Sequence, residues 1–189
     1  MEKKKIVYVT GNKMKVDFLK SVLNSDEFEV EAKKIECPEI QADSVVEVAA
    51  FSAKYACDLL GQPVLKNDSA LVIEALNGFP SVYAKYVQHT LGAEGILRLM
   101  KGKENRTCYY YDAFAYAEPN KEPVVFTCKT YGKISNRQSG KNGDPYDKIF
   151  IADSKTKTMA NLSYEEFLSC FDNSAVYELV NYLKTKEQH

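Results

Sequence analysis

The apolar residues near the start of the chain change from a strand pattern to a helix pattern within a few positions. Residues 5–9, KIVYV, are a short β-branched run that predicts a buried strand. After Thr10-Gly11-Asn12 the apolar residues recur at helical spacing, at Met14, Phe18, Leu19, Val22 and Leu23. The pattern therefore predicts a strand, a tight turn and a helix, in that order.

The rest of the chain mixes helical and strand patterns without a strict βαβ repeat. Capping-box sequences at Ser44 and Ser163 predict helices that run to Leu60 and to about Lys184. The remaining predicted elements are strands at 28–35, 63–65 and 148–152, a helix over 90–100, a β-hairpin over 106–117 and 122–134, and an irregular segment over 74–86. We expect one α/β domain over residues 1–189 with a cleft.

Composition narrows the class of protein. The chain has 189 residues, of which 45% are hydrophobic and 27% charged, which is typical of a globular core. A net charge of −1 gives no electrostatic reason to expect nucleic acid or an anionic membrane as a partner. Five scattered cysteines without a CxxC pair, beside two histidines, argue against zinc and indicate reduced thiols. The first apolar run is too short for a signal peptide, so we expect a cytoplasmic protein.

The Thr10-Gly11-Asn12 turn has two interpretations. Backbone N–H groups at a helix start, with the helix dipole, favour an anion such as phosphate. Lys13 and Lys15 lie in the first helical turn, where cations are unfavourable unless an anion is nearby. An Asn cap with solvated lysines explains the same residues. The spacing is not that of a P-loop, and the turn alone leaves both interpretations open.

Three further groups could carry chemistry. Glu39 follows Pro38 in a loop, and Asp68 stands between two apolar runs, at a predicted strand end or in a turn. Carboxylates of this kind suit Mg²⁺, although a solvated loop carboxylate is the commoner explanation for each acid taken alone, and spacing cannot show that the two meet. In the Gly78–Lys85 segment, Lys85 could pair with phosphate, or the segment could be a packed surface turn. Tyr146-Asp147 could offer a stacking ring and a carboxylate to a nucleobase, or form an ordinary turn.

In their order along the chain, these segments resemble the inosine triphosphate pyrophosphatase family, also called Ham1-like. The resemblance spans about residues 6–184. The motifs that carry it are Thr10-Gly11-Asn12-x-x-Lys15, Pro38-Glu39-Ile40-Gln41, Asp68-Ser69-x-Leu71, Leu76-x-Gly78-x-Pro80-x-Val82-Tyr83 and Gly132-x-Ile134. It implies a two-lobed α/β fold with a long mixed β-sheet and a central cleft, in a protein that is usually a homodimer.

The resemblance also implies an activity. Family members hydrolyse a nucleoside triphosphate to the monophosphate and pyrophosphate with Mg²⁺, and act on deaminated, non-canonical purine nucleotides such as ITP, dITP and XTP. Carried over by position, Asp68 is catalytic and activates water, and Glu39 and Asp68 bind the metal. The implied substrate-binding residues are Thr10, Gly11, Asn12, Lys15, Ser69, Lys85, Tyr146 and Asp147.

The chain departs from the family pattern where the base is expected to bind. Asp144 replaces a phenylalanine, Phe167 a lysine, and Phe171-Asp172-Asn173 a Ser-His-Arg sequence, while Asn67 replaces an acid before Asp68. Loss of donors weakens recognition of a purine keto edge. Two hypotheses follow: an enzyme with an altered base preference or weak activity, and a nucleotide-binding homologue without catalysis that acts as a sensor or partner subunit.

Overall fold

The computed structural model describes residues 3–23 and 27–186. The strands are β1 (Lys4–Val9), β2 (Phe28–Lys33), β3 (Val64–Ile73), β4 (Pro80–Ser81), β5 (Thr107–Ala117), β6 (Val124–Ile134) and β7 (Phe150–Ala152). The helices are α1 (Lys13–Val22), α2 (Val45–Leu60), α3 (Ala84–Thr90), α4 (Gly92–Leu99), α5 (Tyr164–Leu168) and α6 (Ser174–Thr185). Short 3₁₀ turns lie at Glu74–Leu76, Pro145–Lys148 and Met159–Asn161. In this part of the chain, no helix is long and apolar enough to cross a membrane.

The strands form one mixed sheet in the order β2-β1-β3-β5-β6-β7, with β4 paired to β3. β1 is parallel to both β2 and β3, whereas β3–β4 and β6–β7 are antiparallel pairs. β5 and β6 are neighbours, as the predicted hairpin requires. The predicted α/β class with a long mixed sheet is confirmed.

The chain divides into two compact units. The first contains the described residues up to Asp68, Asp112–Cys128, and the described residues from Asn173; the second contains Ser69–Tyr111 and Lys129–Asp172. Each unit has its own hydrophobic core. The core of the first includes Ile6, Tyr8, Leu19, Leu65, Phe114, Val176 and Leu179. The core of the second includes Leu71, Ile73, Ile96, Met100, Tyr146, Ile149 and Phe150. A single domain over residues 1–189 stays a prediction.

Local sequence signals set the first helices as expected. α1 follows the Thr10–Asn12 turn directly after β1, which confirms the predicted strand, turn and helix. α2 starts after Ser44, whose Oγ accepts a hydrogen bond from the Val46 N–H at 3.2 Å. It ends at Gly61, whose φ of 62° is left-handed and suits glycine.

The third strand is longer than predicted. The apolar pattern at 63–65 predicted a short strand, but β3 continues through the polar Asn67-Asp68-Ser69 to Ile73. Leu65 and Leu71 on either side are fully buried, so pairing with neighbouring strands carries the polar residues through the sheet. Asp68 therefore lies inside a strand, and the prediction of a strand end or turn at this acid was wrong.

The predictions for segment 74–86 and for the helix after Ser163 also need correction. The segment 74–86 was predicted to be irregular, yet it contains β4 and the start of α3, and the helix predicted over 90–100 is α4. The Ser163 capping box is present, but the long helix predicted from it is split into α5 and α6. Phe167 and Phe171 pack on the core of the second unit, whereas Val176 packs in the core of the first. One straight helix cannot satisfy both packing demands.

Candidate active site

The turn after β1 is a side-chain helix cap. Asn12 Oδ1 accepts hydrogen bonds from the N–H groups of Met14 at 2.9 Å and Lys15 at 3.4 Å. Thr10 Oγ1 accepts one from the Asn12 N–H at 3.1 Å. Lys13 forms an ion pair with Asp17 at 2.6 Å, one helical turn further on. Asn12 therefore caps the start of α1. The Lys15 side chain takes no part in the cap and points to β3.

The strand register places Asp68 beside this turn. Tyr8 of β1 is the register partner of Leu65 in the parallel strand β3. β1 ends one residue after this pair, at Val9, and Asp68 lies three residues beyond Leu65 in β3. Lys15 Nζ lies 3.5 Å from the carbonyl oxygen of Asn67, the residue before Asp68. The turn, Lys15 and Asp68 thus gather at the carboxyl end of β1 in the first unit, which spacing along the sequence could not show.

Glu39 belongs to the loop that follows β2, which ends on the same side of the sheet as β1. β2 is parallel to β1, with Val9 opposite Lys33, and the loop begins directly after Lys33. The Lys34 side chain lies next to Gly11, since a Cβ at Gly11 would sit 3.5 Å from its Cγ. Glu39 itself is exposed within this loop. The loop that carries Glu39 therefore starts at the carboxyl end of β2, beside the Thr10–Asn12 turn.

The available donors fit magnesium. Over residues 3–23 and 27–186 there is no cluster of three or more His, Cys, Asp or Glu that could hold a metal ion. Mg²⁺ commonly uses one or two protein carboxylates and completes its octahedron with water and substrate phosphates. Glu39 and Asp68 are carboxylates of this kind, so they suit a metal that arrives with a nucleotide.

In the second unit, Tyr146 supports the helix that carries Lys85. Lys85 is exposed in the first turn of α3. The Tyr146 hydroxyl donates a hydrogen bond to the carbonyl oxygen of Ala84 at 3.0 Å. Burial raises the pKa of the Tyr146 phenol, which keeps it a donor. Its ring is only 3% exposed and belongs to the core, so this placement does not fit a base-stacking role. Ser69, also predicted to bind substrate, lies within β3.

Asp147 is buried beside a tight turn. Its Oδ2 accepts a hydrogen bond from the Asp144 N–H at 2.7 Å. Burial raises the pKa of the Asp147 carboxyl to about 6, and the neighbouring Asp144 carboxylate contributes to the rise. Gly143 has a φ of 71°, and a Cβ there would lie 2.2 Å from Asp147 Oδ2. Glycine is thus required for the turn to close on this carboxylate.

Among the positions that depart from the family pattern, the two phenylalanines pack against a hydrophobic core and the two aspartates are exposed. The Phe167 and Phe171 rings meet edge to face with centroids 5.3 Å apart, and Phe171 lies 6.5 Å from the Tyr110 ring. Both phenylalanines pack against the core of the second unit. Asp144 and Asp172 are exposed, and the Asp172 N–H donates to Thr130 Oγ1 at 2.9 Å. Asn173 precedes α6 in the first unit.

Comparison with known proteins identifies the family. The Ham1 family model matches residues 6–171. The chain belongs to the Ham1 family. It is 44% identical over 162 residues to the dITP/XTP pyrophosphatase of Methanopyrus kandleri, covering 86% of each chain. It is 36% identical over 181 residues to the dITP/XTP pyrophosphatase of Thermococcus kodakarensis, covering 95% of this chain and 97% of that one. The structure of the Staphylococcus aureus Ham1 protein superposes with a TM-score of 0.80 at 25% identity, covering 97% and 100% of the two chains.

One polar pair of this Ham1-family chain was missed in the sequence analysis. The hydroxyl of Tyr8, one residue before the end of β1, donates a hydrogen bond to Asn67 Oδ1 at 3.0 Å. The available signal was a tyrosine inside the otherwise aliphatic run Ile6–Val9, because a buried tyrosine hydroxyl needs a partner. The sequence does not say where that partner lies.

The buried carboxyl of Asp147 predicts a pH-dependent stability of this Ham1-family chain. Its pKa is raised from 3.8 to about 6 in the folded chain, so ionisation between these values costs folding free energy. Asp147→Asn keeps an acceptor and removes that cost. As pH rises from 4 to 7.5, we expect the free energy of unfolding of the variant to increase relative to that of wild type by on the order of 1–3 kcal/mol, measured by urea unfolding.

A matched substitution controls for the loss of one acid. Asp153→Asn, an exposed position in the same unit, should follow the wild-type pH profile. Parallel stability profiles for wild type and Asp147→Asn over this pH range would contradict the assignment of the burial cost to Asp147.

Proposed function

We propose that this chain is a Mg²⁺-dependent nucleoside triphosphate pyrophosphatase that hydrolyses non-canonical purine nucleoside triphosphates, ribo or deoxy, to the monophosphate and pyrophosphate. The observation that carries the proposal is the contact of Lys15, which follows the Thr10–Asn12 turn, with the Asn67 carbonyl oxygen beside Asp68. The parallel pairing of β1 with β3 in the first unit makes this contact possible. The activity named for the relatives from Methanopyrus kandleri and Thermococcus kodakarensis supports it. Pyrophosphate release from ITP and XTP is its direct test.

The residues of the first unit suit the phosphate chemistry. Thr10, Gly11, Asn12 and Lys15 hold the triphosphate, and Glu39 and Asp68 hold Mg²⁺. When bound, Mg²⁺ neutralises charge that develops on the phosphate oxygens. Asp68 accepts a proton from the attacking water, which adds to the α-phosphorus as the bond to the bridging oxygen breaks and pyrophosphate leaves. Lys15 stabilises charge on the phosphates.

The residues of the second unit are assigned to the substrate on the family resemblance. Lys85 is exposed and offers a cation to phosphate. Tyr146 contributes by fixing the start of α3 through its bond to Ala84. Ser69 and Asp147 complete the assigned set. We also infer a cytoplasmic location, because the five cysteines are thiols rather than disulfides and a nucleoside triphosphate is the proposed substrate.

Base recognition in this chain is altered within the proposed function. At positions where the resemblance implies donors, the second unit uses Phe167 and Phe171 for packing and exposes the Asp172 carboxylate. A carboxylate accepts hydrogen bonds, whereas recognition of a keto oxygen needs a donor. The selectivity for ITP and XTP over nucleotides with an amino group is therefore reduced.

Asp68→Asn tests the catalytic assignment. The amide cannot take a proton from water and is a poorer ligand for Mg²⁺, so pyrophosphate release should fall at least about 100-fold while nucleotide binding persists. Asp58→Asn, an exposed position on α2, should keep the wild-type rate. If wild type binds nucleotide and never releases pyrophosphate, the chain is instead a nucleotide-binding sensor or partner subunit.

A substrate panel tests the altered base preference. Initial rates of pyrophosphate release with Mg²⁺ are compared for ITP, XTP, ATP, GTP, CTP and UTP. We expect kcat/KM values for ITP and XTP within about 10-fold of those for the amino-bearing nucleotides, since the charged donors that the resemblance implies are replaced by Phe167, Asp172 and the neutral amide of Asn173. A preference of about 1000-fold for ITP or XTP would overturn the altered selectivity and leave the pyrophosphatase assignment intact.

The proposed functional form is a homodimer. In the second unit, large apolar side chains are exposed along β4, α3 and α4: Phe79, Tyr83, Tyr86, Leu91 and Leu99. Several large apolar side chains exposed on consecutive elements are typical of an interface between subunits. Tyr86 is the most exposed of them, at 70%.

Tyr86→Asp tests this surface. A carboxylate buried in an interface without a partner costs on the order of several kcal/mol, so the variant should be monomeric at micromolar concentration by light scattering. Tyr177→Asp, at an exposed position on α6 of the first unit, should leave the wild-type mass unchanged. A monomeric wild type, or a Tyr86→Asp dimer, rules out this interface.

A further inference from the structure

The side chain of Asn67 lies on the face of β3 that packs into the hydrophobic core. Side chains alternate between the two faces of a strand, so Asn67 shares a face with Leu65 and Leu71, both fully buried. Asn67 itself is 9% exposed. An amide at such a position costs free energy unless its oxygen and nitrogen find hydrogen-bond partners. An aliphatic side chain would avoid that cost.

Tyr8 supplies a partner that burial keeps in place. Its hydroxyl donates to Asn67 Oδ1 at 3.0 Å, and its side chain is 1% exposed. Burial raises the pKa of the Tyr8 phenol above its ordinary value, and the Asp112 carboxylate raises it further. The hydroxyl stays protonated and able to donate, and a buried acceptor such as Asn67 Oδ1 that lost this donor would bear a desolvation penalty.

Asn67 is linked to two residues of the candidate site. Along the chain it directly precedes Asp68, whose side chain leaves the strand on the opposite face. Through space, its carbonyl oxygen lies 3.5 Å from Lys15 Nζ. A rotation of the Asn67 peptide would move both the Asp68 carboxylate and the acceptor that Lys15 contacts. The Tyr8 bond to the Asn67 side chain opposes that rotation.

We propose that the Tyr8–Asn67 hydrogen bond is a positioning device for the metal and phosphate site, which sets the Asp68 carboxylate and Lys15 from within the core of the first unit. The inference rests on the proposed function for the roles of Asp68 and Lys15. Tyr8 touches neither metal nor nucleotide; it acts through Asn67. The polar pair stays inside the core because it holds one strand position in a single orientation, which apolar packing does less specifically.

Tyr8→Phe is the smallest change that removes the bond. It leaves the ring in place and orphans Asn67 Oδ1. The first measurement is metal affinity, by titration of Mn²⁺, used in place of Mg²⁺, into protein saturated with a non-hydrolysable ITP analogue, followed by electron paramagnetic resonance. We expect the variant to bind Mn²⁺ about 10-fold more weakly, as for other residues that orient a ligand from outside the coordination sphere.

Catalysis gives the second measurement. In Tyr8→Phe, kcat should fall about 10-fold and the Mg²⁺ concentration for half-maximal rate should rise, while KM for nucleotide at saturating Mg²⁺ changes less than about 2-fold. Val176→Ala removes apolar volume from the same core without touching Asn67, and controls for lost stability. It should lower the unfolding midpoint and leave Mn²⁺ affinity and kcat at wild-type values.

A second variant separates positioning from packing. Tyr8→Phe with Asn67→Leu removes the orphaned amide, so the stability lost in Tyr8→Phe should return. If Mn²⁺ affinity returns with it, or is unchanged in Tyr8→Phe alone, the bond is only structural and the inference is overturned. If wild type releases no pyrophosphate from any nucleotide while Tyr8→Phe weakens Mn²⁺ binding, the proposed function fails and the positioning inference stands.

Discussion

The parallel pairing of β1 with both β2 and β3 is the constraint on which the candidate site depends. Parallel neighbours end at the same edge of a sheet, so the segments that follow or continue them meet there although they are distant in sequence. The Tyr8–Leu65 pair sets β1 against β3, and Lys15, after the Thr10–Asn12 turn, reaches the carbonyl oxygen of Asn67 beside Asp68. The Val9–Lys33 pair sets the start of the Glu39 loop next to that turn. A shift of one residue would turn Asp68 to the face that Asn67 now occupies.

In each unit, a buried tyrosine hydroxyl donates a hydrogen bond to the residue that precedes a candidate site residue. In the first, Tyr8 donates to Asn67, the residue before Asp68; in the second, Tyr146 donates to Ala84, the residue before Lys85. Burial raises the pKa of both phenols above their ordinary value, which already lies well above neutral pH. Tyr8 bonds the side chain of Asn67, whereas Tyr146 bonds the backbone carbonyl of Ala84; in both units the acceptor residue directly precedes a charged residue assigned to the candidate site. The charged residues themselves stay near water, where a nucleotide can reach them.

Much of the fold was predictable because local signals agreed with tertiary packing. The β1–turn–α1 opening, the Ser44 cap and Gly61 end of α2, and the Ser163 capping box are all formed by residues close in sequence. The errors occurred where burial overrides local preference. β3 carries Asn67-Asp68-Ser69 through the sheet because its neighbours pair with it. The break between α5 and α6 arises from two cores, which a capping pattern cannot reveal.

The sequence by itself determined the family, the α/β class and the identities of the residues assigned to phosphate and metal, because these depend on motifs whose order is visible along the chain. The tertiary structure alone decided which of them lie together. It placed Asp68 inside a strand beside the Thr10–Asn12 turn, buried the Tyr146 ring, and joined Tyr8 to Asn67 across 59 positions. These outcomes depend on strand register and burial, which arise from contacts between distant residues and leave no periodic trace in the sequence.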